Sequence, residues 1–368
     1  MTKKKLLLHI GMGKTGTTAL QEFFWENRNL LAQHGICYPE IGSQSAAHHL
    51  ISPHHPPFLL DIGWKFLAPE AWIKQVQSLP QDRILMSSEL MFSGAEERVA
   101  PFLDAVCEAF DVSVIAYLRR PDNAIMAAFN QQVKAGEQIR GIDALIKTRL
   151  HRFAYLDVLQ RWNRDTVEIV ARPYERSQFK NGDILADFLS HVLGIESLEG
   201  FIIPKAEENA NPRLATLALD FKVMINNLIS DTEASSKFNA PLFAYSEAYF
   251  AESQEIFREQ DTLSPEHRAE IIEYFREANE IVAKQFMGRE NGQLFEAALC
   301  EGGAEPPSEA ERDAAMVAIA RWLMQTEPAL TQELQAAMAA HSDAPEFRIR
   351  QAVGQLTRAF DLAAKESA

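Results

Sequence analysis

Cysteine is scarce in this sequence. The 368 residues include three cysteines, Cys37, Cys107 and Cys300, which lie far apart along the chain. A disulfide framework needs paired cysteines and a structural zinc site needs clustered ligands, so we expect neither. The sequence therefore favours a reducing compartment.

Positive charge and long apolar runs are also lacking. Lys and Arg total 36 against 51 Asp and Glu, a formal net charge of −15, whereas nucleic acids and anionic membranes favour basic faces. The first apolar run stops at Gly11, too early for a signal-peptide core, and no other run approaches the roughly 18 residues of a membrane span. These features predict a cytoplasmic protein without a transmembrane segment, whose main partner is not a nucleic-acid polymer.

Apolar residues are plentiful, at 47% of the chain, which is enough for a large core. In the first half, four β-like runs are each followed by an amphipathic helical pattern, which predicts an α/β fold with a three-layer parallel sheet flanked by helices. The runs are Lys5–Ile10, Arg83–Ser87, Val112–Leu118 and Val167–Ala171. One helix is predicted from about Thr18 to a stop at Gly35, and another from Asp183 to a stop at Gly194.

The second half shows helical patterns. The predicted helices are Pro212–Ile229, Pro265–Phe286, Ser308–Gln325 and Pro345–Ala364. Ser308 and Glu311 have the spacing of a capping box. The Gly- and Pro-rich stretch Cys300–Pro307 is the predicted linker. We therefore expect an α/β domain with a helical second half over 1–299 and a helical C-terminal extension over 300–368.

A strand that runs into a glycine-containing turn and then into a helix lies near the N-terminus, over His9-Ile10-Gly11-Met12-Gly13-Lys14-Thr15-Gly16-Thr17-Thr18. Such a junction is an anion site, because backbone N–H groups and the positive helix end point to one place. Lys14 adds a positive charge and the threonines add hydroxyl donors. The alternative is a strand–turn–helix junction that binds nothing.

The ordinary nucleoside triphosphate loop does not fit this segment. That pattern requires a glycine at the position of Leu8, which lies inside the predicted strand. The segment Lys14-Thr15-Gly16-Thr17-Thr18 instead resembles the Lys-Ser-Gly-Thr-Thr loop of sulfotransferases. In that family the loop holds the 5′-phosphosulfate of 3′-phosphoadenosine 5′-phosphosulfate (PAPS).

A second match to the sulfotransferases lies at Val114-Ile115-Ala116-Tyr117-Leu118-Arg119. The family ends this strand with an arginine that binds the 3′-phosphate of the nucleotide, and Arg119 has that place. Ala127 departs from the family, which has a serine there that also contacts the 3′-phosphate. The resemblance covers about the first two hundred residues. It implies a P-loop type nucleotide-binding fold, PAPS as co-substrate and no metal, with Lys14, Thr15, Gly16, Thr17, Thr18 and Arg119 as nucleotide contacts.

Three residues are candidates for catalysis. Positioning and electrostatics dominate group transfer of this kind, so a cation beside the bridging oxygen of PAPS is expected, and Lys14 is the candidate. Glu89, at the end of the second predicted strand, is the candidate base. His48 or its neighbour His49 is another candidate, since imidazole titrates near neutrality. The alternative for Glu89 is a carboxylate that caps the next helix, and the alternative for His54 and His55 is a solvent-exposed loop. A metal site is a further alternative for the group His48, His49, His54 and His55.

The sequence thus predicts an enzyme that moves a sulfuryl group from PAPS to a hydroxyl or amine. An acidic chain favours a small molecule, a lipid or a neutral sugar over a highly anionic acceptor. Two alternatives stay open. One is an ATP-dependent kinase or other P-loop nucleotide-binding enzyme, in which Glu89 would hold magnesium. The other is a nucleotide-binding module without turnover, which Ala127 favours.

Overall fold

The computed structural model describes residues 3–138, 141–204, 214–252, 262–297 and 306–367. The chain divides into two compact units, each built from several stretches of sequence. Unit 1 comprises Met1–Pro121, Arg152–Glu208 and Ile272–Ala297, and unit 2 comprises Asp122–His151, Asn209–Ile271 and Ala298–Ala368. Residues 298–305 lie outside the described residues and include most of the predicted linker, so the division at residue 300 stays a prediction.

Unit 1 contains a parallel β-sheet. Within the described residues its five strands are β1 (Lys4–His9), β2 (Ile36–Cys37), β3 (Arg83–Ser87), β4 (Phe110–Leu118) and β5 (Val167–Pro173), in the order β2-β3-β1-β4-β5. Every neighbouring pair is parallel. The apolar runs of β1, β3 and β4 are buried on both faces, as expected for a sheet covered by helices. The predicted α/β class and parallel sheet are confirmed.

Helices cover both faces of this sheet. The described helices of unit 1 are α1 (Thr17–Glu26), α2 (Arg28–Gln33), α3 (Pro57–Asp61), α4 (Pro69–Gln77), α5 (Glu96–Ala109), α8 (Tyr155–Trp162), α9 (Ile184–Phe188) and α14 (Arg276–Met287). Phe23, Phe24 and Phe188 of α1 and α9 pack with Leu7 and Ile115 on one face. Successive strand residues point to opposite faces. On the other face α5 packs against β4, and Trp72 of α4 stacks on Phe110.

The helix predicted from Thr18 to Gly35 is two helices. It breaks at Asn27, whose side-chain amide donates to the carbonyls of Phe23 (2.8 Å) and Ile202 (2.7 Å) and accepts from the Ile202 N–H (2.7 Å). A buried asparagine that satisfies a distant backbone segment ends the helix there. The predicted stop at Gly35 is confirmed, since Gly35 follows α2 with a left-handed φ of 75°.

The helix after β5 begins and ends as predicted. Asp183 caps α9 by accepting from the N–H groups of Leu185 (2.7 Å) and Ala186 (3.0 Å). A π-helical turn over Leu189–Leu193 follows α9, and Gly194 ends it with φ 71°. The short α9 is thereby fixed against α1 and the sheet.

Unit 2 is helical. Its described helices are α6 (Pro121–Lys134), α7 (Ile142–Arg149), α10 (Thr216–Leu228), α11 (Thr232–Ser236), α12 (Asn239–Glu252), α13 (Pro265–Tyr274), α15 (Glu309–Thr326), α16 (Pro328–Ala340) and α17 (Phe347–Ser367). The predicted capping box is confirmed: Ser308 accepts from the N–H of Glu311 (3.3 Å), and the Glu311 carboxylate accepts from the N–H of Ser308 (2.7 Å). The helix predicted over Pro265–Phe286 breaks at the buried Phe275. Over the described ranges, every helix is too short or too polar to cross a bilayer.

Candidate functional site

The candidate site lies at the carboxyl ends of β1, β3 and β4 in unit 1. The chain leaves β1 towards β2 on one side of the sheet and leaves β4 towards β5 on the other. A crevice opens where neighbouring parallel strands connect in opposite directions, and ligands of open α/β sheets bind there. The loop after β1 carries Lys14, the turn after β3 carries Glu89, and Arg119 directly follows β4. The topology thus brings the three predicted site residues to one edge of the sheet.

The loop between β1 and α1 has a left-handed conformation at three residues. Gly11 has φ 43°, Lys14 φ 69° and Gly16 φ 71°. A side chain at Gly11 would place its Cβ 2.7 Å from Cγ2 of Thr17. One at Gly16 would lie 3.3 Å from the Tyr174 ring. Glycine is therefore required at Gly11, and the left-handed lysine costs about 1 kcal/mol, which the rest of the loop must offset.

The threonines of the loop have different roles. The Thr15 hydroxyl donates to the carbonyl of Met12 (2.6 Å), and the Thr15 N–H bonds to the same oxygen (3.3 Å). Thr15 and Thr17 are buried, whereas Thr18 is exposed on the first turn of α1. No side chain in the described part of the protein caps this helix at Gly16. Thr15 therefore closes the loop, and Thr18 lies on its outer surface.

Arg119 joins the loop directly. Its Nη1 donates to the carbonyl of Lys14 (3.0 Å), a residue 105 positions earlier in the chain. The guanidinium carbon of Arg119 lies 5.9 Å from the centroid of the Tyr174 ring. The Tyr155 hydroxyl donates to the backbone carbonyl of Arg119. Partial burial lowers the pKa of Lys14 and the positive charge of Arg119 lowers it further, while Glu89 acts in the opposite direction. Two cations and one carboxylate are therefore within electrostatic reach of one another.

Glu89 is held by a glutamine that the sequence analysis missed. Gln21, buried on α1, donates through Nε2 to Glu89 Oε2 (2.9 Å) and to Ser87 Oγ (3.2 Å). The Glu89 side chain is 31% exposed. A polar residue on the otherwise apolar inner stripe of α1 was the signal that could have identified Gln21. Helix α1, which follows the loop, therefore also positions the candidate base.

His48 is tied to backbone groups. The Ser87 N–H donates to its Nδ1 (3.1 Å), which leaves Nε2–H to donate to the carbonyl of Pro39 (2.7 Å). The ring is fully buried, and burial lowers its pKa to about 4. Both ring nitrogens are thereby occupied in a neutral imidazole. The predicted catalytic role of His48 stays a prediction, and these contacts favour a structural role.

The imidazole that reaches Glu89 is that of His49. Its Nε2 lies 3.7 Å from Glu89 Oε1, and its Nδ1 is 2.9 Å from Ser88 Oγ. Burial lowers the pKa of His49, and the charge of Glu89 raises it in part. The ring stacks on Trp64, with centroids 5.7 Å apart and an angle of 29° between the planes. His49 is therefore held between the candidate base and an aromatic side chain.

No known protein family model matches this chain, and no solved structure matches it. A stretch of 183 residues, 48% of the chain, is 27% identical to an uncharacterized protein of Archaeoglobus fulgidus. The match spans 46% of that protein, so the chain covers about half the length of this curated relative. Nothing about function follows from that likeness.

A buried histidine lies beneath the loop. His9, the last residue of β1, has its Nδ1 2.8 Å from Ser87 Oγ and packs edge-on against Phe188 at 5.4 Å. Its Nε2 has no hydrogen-bond partner among the described residues. Burial lowers the pKa of His9 to about 3, so the ring is neutral. Ser87 thereby receives contacts from both His9 and Gln21 and connects the base of the loop to the Glu89 turn.

The segment Arg172–Glu175 covers the last two residues of β5 and the two that follow, and most of its contacts are structural. Arg172 forms a two-point ion pair with the buried Asp187 (2.6 and 2.8 Å), which also accepts from the Tyr117 hydroxyl (2.7 Å). Glu175 accepts from the N–H of Glu296 (2.8 Å). Tyr174 is the member of this segment beside the loop, because its ring lies against Gly16 and near Arg119.

Proposed function

We propose that this protein is a PAPS-dependent sulfotransferase with a P-loop type nucleotide site in unit 1. The observation that carries the proposal is the hydrogen bond from Arg119 to the carbonyl of Lys14. Two motifs that resemble those of sulfotransferases are far apart in the sequence, and their key residues are in direct contact. A chance resemblance of either motif would not require this contact.

The loop suits a phosphate-rich nucleotide. Its glycines allow the backbone a conformation that a Cβ would block at Gly11, and no side chain at Gly16 caps the first turn of α1, whose positive end favours an anion. Lys14 and Arg119 supply two positive charges beside this helix end. By resemblance, Lys14 with Thr15, Gly16, Thr17 and Thr18 holds the 5′-phosphosulfate. Arg119 then holds the 3′-phosphate that distinguishes this nucleotide from ADP.

The proposed reaction moves one sulfuryl group. A new bond forms between the acceptor oxygen or nitrogen and sulfur, while the bond from sulfur to the bridging phosphate oxygen breaks. Glu89 takes the proton of the acceptor, and Gln21 holds one carboxylate oxygen in place. The positive charge of Lys14 stabilises the negative charge that develops on the leaving phosphate. We expect no metal, because the sulfuryl group carries less charge than a phosphoryl group.

Calorimetric titration of variants with 3′-phosphoadenosine 5′-phosphate (PAP) tests the nucleotide assignment. Losing a hydrogen bond to a charged group costs about 1.5–3 kcal/mol, so Arg119→Gln and Lys14→Ala should each weaken PAP binding about ten- to hundredfold. Arg119→Gln should weaken ADP binding much less, because ADP lacks the 3′-phosphate.

Arg83→Gln is the matched control for these variants. Arg83 begins β3 at the opposite, amino end of the sheet, where its guanidinium donates to the carbonyl of Leu193 (3.0 Å). This variant should keep the PAP affinity of the wild type. If Arg119→Gln bound PAP as tightly as the wild type does, the assignment of Arg119 to the nucleotide would be wrong.

A further inference from the structure

Large apolar side chains are exposed on one short turn of unit 1. Phe58, Leu60 and Ile62, on and next to α3, are 63%, 48% and 69% exposed. Single exposed apolar residues are common, but three within five positions are an unusual concentration of exposed apolar surface. Phe58 and Ile62, four positions apart on this helical turn, share one face of it. The turn is fixed in place, because Leu59 between them is buried.

This apolar turn is joined to the candidate base through Trp64. The backbone N–H of Trp64 donates to the backbone carbonyl of Leu59 (2.9 Å), so Trp64 lies directly at the end of the turn. Its ring stacks on His49, whose Nε2 lies 3.7 Å from Glu89 Oε1. Contacts therefore link Glu89 to His49 and His49 to Trp64, and the backbone of Trp64 is bonded to the turn.

The aromatic surface continues beyond Trp64. The Phe66 ring lies 6.3 Å from the Trp64 ring, and His55 stacks on Phe66 at 4.3 Å. The Leu67 N–H donates to the carbonyl of Leu50 (2.7 Å), next to His49, which closes the segment into a loop. A row of rings thus begins at His49, next to Glu89, and continues through Trp64 and Phe66 to His55.

We propose that Trp64 and the apolar turn of Phe58, Leu60 and Ile62 bind the apolar body of the acceptor, and that the acceptor is an alcohol with an extended hydrocarbon part. This proposal rests on the sulfotransferase function above. When the acceptor hydroxyl is at Glu89, the hydrocarbon part of the acceptor lies along His49 and Trp64. Burial of this hydrocarbon against Phe58 and Ile62 then stabilises the complex. A small hydrophilic alcohol would leave the patch uncovered.

The test uses the full-length protein loaded with PAP and the probe 1-decanol below its solubility limit, with glucose as the hydrophilic comparison. Calorimetry gives the affinity for each alcohol, and PAP release from PAPS gives transfer. Wild-type protein should bind decanol, and it should transfer the sulfuryl group to decanol in preference to glucose. Phe58→Ser with Ile62→Ser should weaken decanol binding about tenfold or more, because two large apolar contacts are lost. The PAP affinity of this variant should stay that of the wild type.

Three further variants complete the experiment. Trp64→Ala should lose decanol affinity while Trp64→Phe, which keeps an aromatic ring, should restore most of it. Ile281→Ser is the matched control, since Ile281 is also an exposed apolar residue of unit 1 but lies on α14, which packs against α8 and β5. It should bind decanol as the wild type does.

The outcomes separate this inference from the proposed function. PAP binding together with preference for glucose, or with decanol binding that the Phe58 and Ile62 changes do not affect, would overturn the apolar acceptor site and leave the nucleotide assignment intact. Absence of PAP binding in the wild type would overturn the proposed function itself.

Discussion

Acidification should destabilise unit 1 through His48. The unfolded chain protonates this imidazole with the ordinary pKa of 6.5, whereas the buried ring has a pKa of about 4. Because the unfolded state binds the proton first, the free energy of unfolding is unaffected above pH 6.5 and falls as the pH drops from 6.5 to 4. At roughly 1.36 kcal/mol per pKa unit, this difference corresponds to about 3 kcal/mol.

Replacement of His48 by asparagine should remove that part of the pH dependence. Urea unfolding of both proteins at a series of pH values between 7 and about 4.5 measures it, and tryptophan fluorescence reports unit 1 because four of the five tryptophans lie there. His9 titrates lower for the same physical reason, so the variant keeps the His9 contribution. His34→Asn, at an exposed histidine, controls for the substitution itself.

The slope of the free energy of unfolding against pH shows whether His48 is buried as a neutral imidazole. The wild type should lose more stability than the His48→Asn protein as the pH falls, whatever the offset between them at pH 7. Parallel curves for the two proteins would refute the neutral, buried imidazole. Loss of PAPS-dependent turnover in His48→Asn at full stability would instead favour the catalytic role predicted from the sequence.

Three other changes have expected outcomes. Gly11→Ala should lower the free energy of unfolding by about 1–2 kcal/mol and weaken PAP binding, because φ at Gly11 is 43° and the new Cβ would meet Thr17 at 2.7 Å. The control is Gly13→Ala, where a Cβ meets nothing within 4 Å, and it should keep the wild-type stability in the same urea unfolding assay. Equal stability of the two variants would contradict backbone strain at Gly11. Glu89→Gln should keep PAP affinity by calorimetry and slow transfer about 10²–10⁴-fold if Glu89 is the base; a joint loss of activity and stability would show a structural carboxylate. Gly354→Ala, within α17 and with open space at its Cβ, should raise the stability of unit 2 by about 1 kcal/mol, and a lowered melting temperature would contradict that open environment.

Local sequence patterns predicted most of the sheet. The strands β1, β3 and β4 are apolar runs buried beneath the helices, and β5 is a half-buried apolar run at the edge of the sheet, so all four can be recognised from composition alone. The edge strand β2, Ile36–Cys37, was missed because two residues carry no periodicity. The break at Asn27 was also missed, since its cause is a contact with Ile202, 175 positions later in the chain.

The candidate site residues could be named one by one from the sequence, but their arrangement could not. Lys14 and Arg119 were found separately from their motifs, whereas their hydrogen bond depends on the neighbouring positions of β1 and β4. The sequence alone does not show which of the adjacent residues His48 and His49 reaches Glu89. His48 turns inward because the Ser87 N–H and the Pro39 carbonyl meet its two nitrogens, and His49 is left beside Glu89.

The central claim is a nucleotide site that recognises a 3′-phosphate without a metal. Calorimetric titration of the wild-type protein with PAP, ADP and ATP, each with and without magnesium, tests it most directly. We predict that PAP binds much more tightly than ADP and that magnesium leaves its affinity unchanged. Binding of ATP that depends on magnesium, with no preference for PAP, would contradict the sulfotransferase assignment and favour a kinase or another nucleotide-binding enzyme.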